Sequence, residues 1–334
     1  MSIVLDAPGS FPPDELVEGV VGVVVTYRPP DDFDRALDSF LGQLPLTIVV
    51  SNDDDPGTID RVRDLVAMRL ATPAGGRRGS VSVVWNRKNL GLSAAFNQGV
   101  AAAESSAPRF VLLLDQDTCL HSGAVRTLVD DFGALASTGA TGAVGCTNLE
   151  GVHVSEFPLG ALDRARRMYR PRSRTERIPL PRDVVHRKPT MVNSGTLIAS
   201  TTLRSVGPFD ERLFIDGVDY DYSFRMRRVR LEIFSSEQAR ADHRIGALFE
   251  THWLGRTVKF RTYSTARSYY IVRDTMRLIR KWFTAFPIEA FGIGIRMLIG
   301  VLGSLAILPD RHARAQAVLA ALRDAASVKP RAHT

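Results

Sequence analysis

The stretch Phe110-Val-Leu-Leu-Leu-Asp115-Gln116-Asp117-Thr118 constrains the fold of this chain more than any other. Its five apolar residues are too few for a helix and suit a strand buried on both faces, as in parallel sheets. The strand stops at two carboxylates two positions apart. In an open α/β sheet the carboxyl ends of the strands face the ligand crevice. Two acids held there cost desolvation free energy unless a positive charge lies between them. A divalent cation meets that need, because hard cations take carboxylate oxygens and complete their shell with phosphate. An ordinary Asp-rich turn after a strand is the competing reading.

Upstream, one pattern repeats. Residues 20–27, 46–50 and 81–85 are short runs rich in β-branched residues, and residues 33–41 and 59–70 carry helical spacing. Strand alternating with helix predicts a right-handed, mostly parallel α/β sheet flanked by helices. Residues 86–100 then bring Gly91, Ser93, Ala94, Ala95 and Gly99 to a helix start. Such small residues let a helix lie close to the sheet or present its amides to phosphate. Neither a dinucleotide Gly-x-Gly-x-x-Gly nor a P-loop lysine occurs.

Downstream, residues 163–188 hold ten Lys+Arg against three acids and several prolines, which predicts an exposed loop able to close over a diphosphate. A strand containing Gly195 is expected over 190–199 and a short helix over 201–206. Asp216, Asp219 and Asp221 follow, immediately before an apolar, arginine-dotted helix. The helix dipole favours acids at that end. It does not explain the aromatic residues set among them. A further strand at 233–234 leads towards His243, which falls after the last strand of an acid-lined crevice.

The 334 residues are 45% hydrophobic and 24% charged, as in a globular protein with a real core, in one large domain with an appendage or in two domains. Cys119 and Cys146 are the only cysteines, so a reducing cytosol is expected rather than a disulfide framework. Residues 1–17 read as a loose leader, whose Asp6, Asp14, Glu15 and prolines are unlike a secretory signal. The net charge of +7 is uneven: from residue 256 onward 14 Lys+Arg face 4 Asp+Glu, a surplus of ten that leaves the rest at about −3. A basic tail of this kind suits an anionic surface.

Residues 256–282 are aromatic and basic, with helical spacing over Tyr263, Tyr270, Met276 and Ile279. Residues 283–308 are strongly apolar but interrupted by Pro287, Glu289 and Arg296. The uncharged run 297–309 is short against the roughly twenty residues of a bilayer span. An amphipathic helix or hairpin in the membrane interface is expected, with packing on the catalytic domain or a homodimer contact as the competing reading. A last amphipathic helix is expected over 313–326. Nucleic-acid binding would rest on the basic tail alone and is not expected.

Four blocks in order resemble glycosyltransferase family 2, with the nucleotide-diphospho-sugar (GT-A) fold, and within it bacterial rhamnosyltransferase-like members. They are Thr26-Tyr27-Arg28-Pro; Asn89-x-Gly91-x-x-x-Ala95-x-Asn97-x-Gly99; Leu-Leu-Asp115-Gln116-Asp117; and Phe214-Ile-Asp216-x-x-Asp219-x-Asp221-x-x-x-Arg225, followed by His243-x-x-Gly246. Tyr269-Tyr270-x-x-Arg273-Asp274 resembles a later helical signature that has Asn in the last place. The family's base-reading Asp at the end of the second strand is Ser51 here, so Asn52 or Asp53 would take over.

The resemblance implies a GT-A catalytic domain over 1–255 (donor half about 18–118, acceptor half about 119–255) and a helical C-terminal region over 256–334. It implies inverting transfer of a sugar to a hydroxyl of a glycan or polyprenyl-linked acceptor in cell-envelope synthesis. dTDP-rhamnose is the first donor and a UDP-sugar such as UDP-galactofuranose the second. Mn²⁺ or Mg²⁺ is implied on Asp117, Asp115 and His243, with Asp219 as general base and Asp216 or Asp221 as alternatives. Thr26, Tyr27, Arg28, Asn52, Asp53, Asn89, Gly91, Asp115 and Gln116 are the implied donor contacts. The implied location is cytoplasmic and peripheral on the inner face of the membrane. A non-catalytic nucleotide-sugar-binding or scaffold protein of the same fold is the alternative, though it would not need all three acids at 216–221. A nucleotidyltransferase would need a glycine-rich, basic N-terminal loop that is missing.

Overall fold

The computed structural model describes residues 15–71, 79–136, 141–148, 185–243, 247–253, 256–308 and 310–327. The first half follows the expected alternation: β1 (Val20–Thr26), α1 (Phe33–Leu41), β2 (Leu46–Ser51), α2 (Pro56–Ala71), β3 (Ser80–Trp85), α3 (Leu92–Glu104) and β4 (Phe110–Asp115). These four strands are parallel, in the order β3-β2-β1-β4. Alternate side chains of one strand feed two cores. Phe110, Leu112 and Leu114 join α1 on one face, whereas Val111 and Leu113 join α3 on the other. Leu112 and Leu113 are fully buried, which is why the run can be apolar throughout.

The second half is mixed rather than parallel. It comprises β5 (Thr118–Leu120), α4 (Ala124–Ala136), β6 (Thr141–Asn148), β7 (Val185–Lys188), β8 (Thr196–Ala199), α5 (Ser200–Val206), α6 (Val218–Arg228) and β9 (Glu232–His243). β8 runs antiparallel between β4 and β6, and β9 lies parallel to β6 but antiparallel to β5 and β7. The expected strand over 190–199 is cut to its last four residues, because Gly195 turns at φ +73° against Cys146. The strand expected at 233–234 is instead twelve residues long and carries its end to His243. Of the loop expected over 163–188, residues 163–184 lie outside the described residues and 185–188 form β7.

A separate hairpin, β10 (Ala247–Trp253) and β11 (Arg256–Thr262), replaces the helix expected from 256. α7 (Thr265–Trp282) starts only at Ser264, whose hydroxyl accepts from the Arg267 amide at 3.2 Å. α8 (Pro287–Ile307) folds back along α7, and α9 (Arg311–Ser327) returns beside it. Thr265 Oγ1 donates to Asp310 at 2.8 Å at one end, and Arg280 donates to the Ala325 carbonyl at 2.7 Å at the other. Leu278 and Trp282 of α7 and Ile293 of α8 belong to the same core as Phe96, Tyr222 and Phe224. The stretch beyond residue 255 therefore shares a core with the unit before it.

Candidate active site

Three groups meet at the end of β4. The Asp115 and Asp117 carboxylates follow the strand, and β5 turns back at Thr118, which pairs with His243 across the sheet. That register brings residues far apart in the chain into contact: His243 Nε2 lies 3.3 Å from Asp115 Oδ2 and 3.3 Å from Asp117 Oδ1. The three ligand atoms lie within 4.8 Å of one another, and no second group of this kind occurs among the described residues. Burial works against the imidazolium. Hydrogen bonds and charge from both aspartates outweigh it and hold His243 up to about 10. Two carboxylate oxygens and an imidazole nitrogen would fit Mn²⁺ or Mg²⁺ once the ring gives up its proton, the cation taking over the positive charge that the two anions draw between them.

The three acids near α6 differ from one another. Asp219 is pushed up to about 6 by desolvation, against which the Tyr220 amide donates to Oδ1 at 2.8 Å, and the Asp115 charge adds to the rise. Asp216 is also pushed up to about 6, chiefly by burial, with Arg267 opposing and Asp274 and Asp219 adding. Asp219 is thus electrically joined to the Asp115 side of the crevice. Asp221 faces inward and is 1% exposed. Arg225 Nε donates to its Oδ2 at 3.0 Å, while Trp282 Nε1 at 2.7 Å and Lys281 Nζ at 2.6 Å occupy Oδ1. With both oxygens so held, Asp221 cannot take a proton from a substrate, and its expected role as a fallback base is corrected to a structural one. Arg225, on the same helix, also donates to the Val206 and Pro208 carbonyls at 3.1 and 2.8 Å.

The expected donor contacts divide in the same way. Tyr27 is half-buried and Arg28 exposed, with the guanidinium 5.2 Å over the Tyr27 ring. Asp53 is buried; it accepts from the Arg28 amide, from Ser51 Oγ at 3.1 Å and from Thr26 Oγ1 at 3.4 Å. Asn52 is buried as well, donating to the Gly91 carbonyl at 3.2 Å and accepting from Asn86 at 2.8 Å. Gln116 bonds both ways with the Tyr27 backbone, at 2.8 and 3.2 Å. Thr26, Asn52, Asp53 and Gln116 accordingly shape the loop ends after β1, β2 and β4. Asn89 accepts from the Gly91 amide at 3.0 Å. Gly91 has φ +86°, and a Cβ there would sit 2.6 Å from the Phe214 carbonyl oxygen, so no other residue fits.

His243 also lines a cavity of about 360 Å³ whose wall includes Thr147, Lys188, Met191, Ser194 and Phe234. Sequence reasoning missed this space, because β6, β7 and β9 build it from residues far apart in the chain.

A family model described as Glycosyl transferase family 2 matches residues 23–190, half of the 334-residue chain. The chain belongs to glycosyltransferase family 2. The galactofuranosyltransferase GlfT1 of Mycobacterium tuberculosis is 27% identical over 215 residues, which cover 64% of this chain and 66% of that protein, just under two thirds of its length. A solved structure of GalNAc-T7 with UDP, GalNAc and Mn²⁺ superposes with a TM-score of 0.53 at 12% identity. That likeness covers 92% of this chain and 56% of the other, and it establishes the GT-A fold. The family match spans Asp115 and Asp117; His243 and the acids of the 214–221 loop lie beyond it.

Proposed function

We propose that this family 2 member is an inverting glycosyltransferase that moves a sugar from a nucleotide-diphosphate donor to an acceptor hydroxyl. The observation that carries the reading is the meeting of Asp115, Asp117 and His243 at 3.3 Å contacts, with Asp219 coupled to it. Mn²⁺ or Mg²⁺ held by the three residues would supply positive charge to the leaving diphosphate. Asp219, poised at about 6, takes the proton of the acceptor hydroxyl. Asp216 is the reserve for that role. The space beside His243 offers hydroxyls and Lys188 to the acceptor or the transferred sugar. UDP-galactofuranose leads the donors because of the mycobacterial relative, and dTDP-rhamnose is next.

The acceptor we propose is a polyprenyl-linked glycan at the inner face of the cell membrane. α8 supports this: it is long and apolar enough to cross a bilayer, with a mean hydropathy of 1.9, yet it lies along polar α7 and α9. Its outer stripe includes Phe291, Leu298 and Leu302, which are 56%, 48% and 58% exposed. Exposed Arg280, Arg296 and Arg311 stand near its ends and flank, as expected for a helix lying on anionic headgroups.

A thermal-shift screen of nucleotide diphosphates and their sugars, with and without Mn²⁺, should single out one donor by mass action, and a product assay should then show transfer. Donor stabilisation without turnover over a panel of acceptors would favour the non-catalytic alternative. Flotation with anionic vesicles tests the membrane reading; a homodimer that ignores vesicles would replace it.

A further inference from the structure

We infer that Asp274, on α7, is a positioning residue that clamps the segment leading through Asp216 into the first turn of α6, where Asp219 lies. The inference rests on the proposal that this loop supplies the base. Asp274 is fully buried, and both of its oxygens are used. Oδ2 accepts from the Phe214 amide at 2.8 Å and the Ile215 amide at 3.2 Å. Oδ1 accepts from Arg273 Nε at 2.8 Å and Nη2 at 2.7 Å. The Arg273 guanidinium is itself held 4.8 Å over the Tyr270 ring.

The clamped segment touches both halves of the site. Phe214 stacks on Tyr270 with centroids 4.1 Å apart and planes 12° from parallel. Its carbonyl accepts from the Leu92 amide at 2.5 Å, at the start of α3 and next to Gly91. One residue beyond Ile215 comes Asp216, and then Gly217 at φ +79°, where a Cβ would lie 3.2 Å from Leu278 of α7. α7 thus fixes the backbone on both sides of Asp216, and from there the first turn of α6, which carries Asp219. A small displacement of a reacting group is costly, about a hundredfold for 1 Å, so losing the clamp should reach turnover without any change in the acids themselves.

The test is a pair of variants read by kinetics and by amide hydrogen exchange on the full chain. In wild type, the Phe214 and Ile215 amides should be protected; unprotected amides would overturn the clamp whatever the protein catalyses. Asp274→Ala should lose that protection and about a hundredfold in kcat, with the nucleotide Kd within about threefold. Asp274→Asn keeps an acceptor oxygen at the amides and should recover kcat to within about tenfold of wild type. Folded Asp274→Ala with normal turnover, or Asp274→Asn as impaired as Asp274→Ala, would overturn the positioning role. Absent turnover in wild type would sink the transferase proposal and leave the exchange result to decide the clamp.

Discussion

Two acid groups are coupled through the charges of Asp115 and Asp219, and they are held in opposite ways. At the end of β4, Asp115 and Asp117 face each other across the His243 imidazole, and their charge favours a positive group between them, a proton on the ring or a cation in its place. At the start of α6, Asp216 and Asp219 are half-buried in desolvating surroundings with too little compensation, and both are pushed up to about 6. The first arrangement suits holding a cation and the second suits holding a proton. Asp221, two residues past Asp219, shows a third outcome: supplied with Arg225, Lys281 and Trp282, it becomes part of the framework. The same side chain takes three roles according to the charge around it.

The largest effect that would sharpen this contrast is on turnover. Asp219→Asn should lower kcat by about 10²- to 10⁴-fold while leaving Mn²⁺-dependent nucleotide binding intact, as single-turnover kinetics and calorimetry can check. Near-normal turnover would move the base to Asp216. Asp221→Ala should instead unfold more easily, by about 1–3 kcal/mol in denaturant titrations, because Trp282 loses its acceptor while Lys281 keeps only Asp210 and Arg225 only the Val206 and Pro208 carbonyls. A variant of unchanged stability would show that its charges are not buried as described.

The smallest effect concerns pH. A folded carboxyl whose pKa is raised from 3.8 to about 6 binds more protons than the unfolded chain within that window, so Asp219 costs stability as pH rises through it. Asp219→Asn should therefore raise Tm at pH 8 and gain nothing at pH 4. A Tm gain equal at both values would contradict the desolvated state of this acid.

Much of this was legible in the sequence, for reasons the structure makes clear. β1, β2 and β4 are short and buried on both faces, and the edge strand β3 is a short β-branched run with half-buried and exposed residues, so local composition alone identifies all four. Asp115 and Asp117 follow from the abrupt end of β4. His243 could be tied to them only by resemblance, because its contact depends on the β5–β9 register. The strand directions of the mixed second half were not legible, since β8 enters antiparallel after a stretch with no clear period. β11 was misread as helix because its residues run into α7 without a break in composition. The part played by Asn52 and Asp53 is not legible in the same way. A polar residue at a strand end reads the same whether it faces a ligand or its own loop.

The central claim is that Asp115, Asp117 and His243 hold a cation that grips the donor diphosphate. Calorimetric titration of UDP and dTDP into wild type and Asp117→Ala, each with Mn²⁺ and with EDTA, tests it most directly. Wild type should bind one of these nucleotides tightly only with Mn²⁺, and Asp117→Ala should bind it equally weakly in both conditions. Binding by wild type that is unchanged by EDTA, or by Asp117→Ala that still responds to Mn²⁺, would contradict the account.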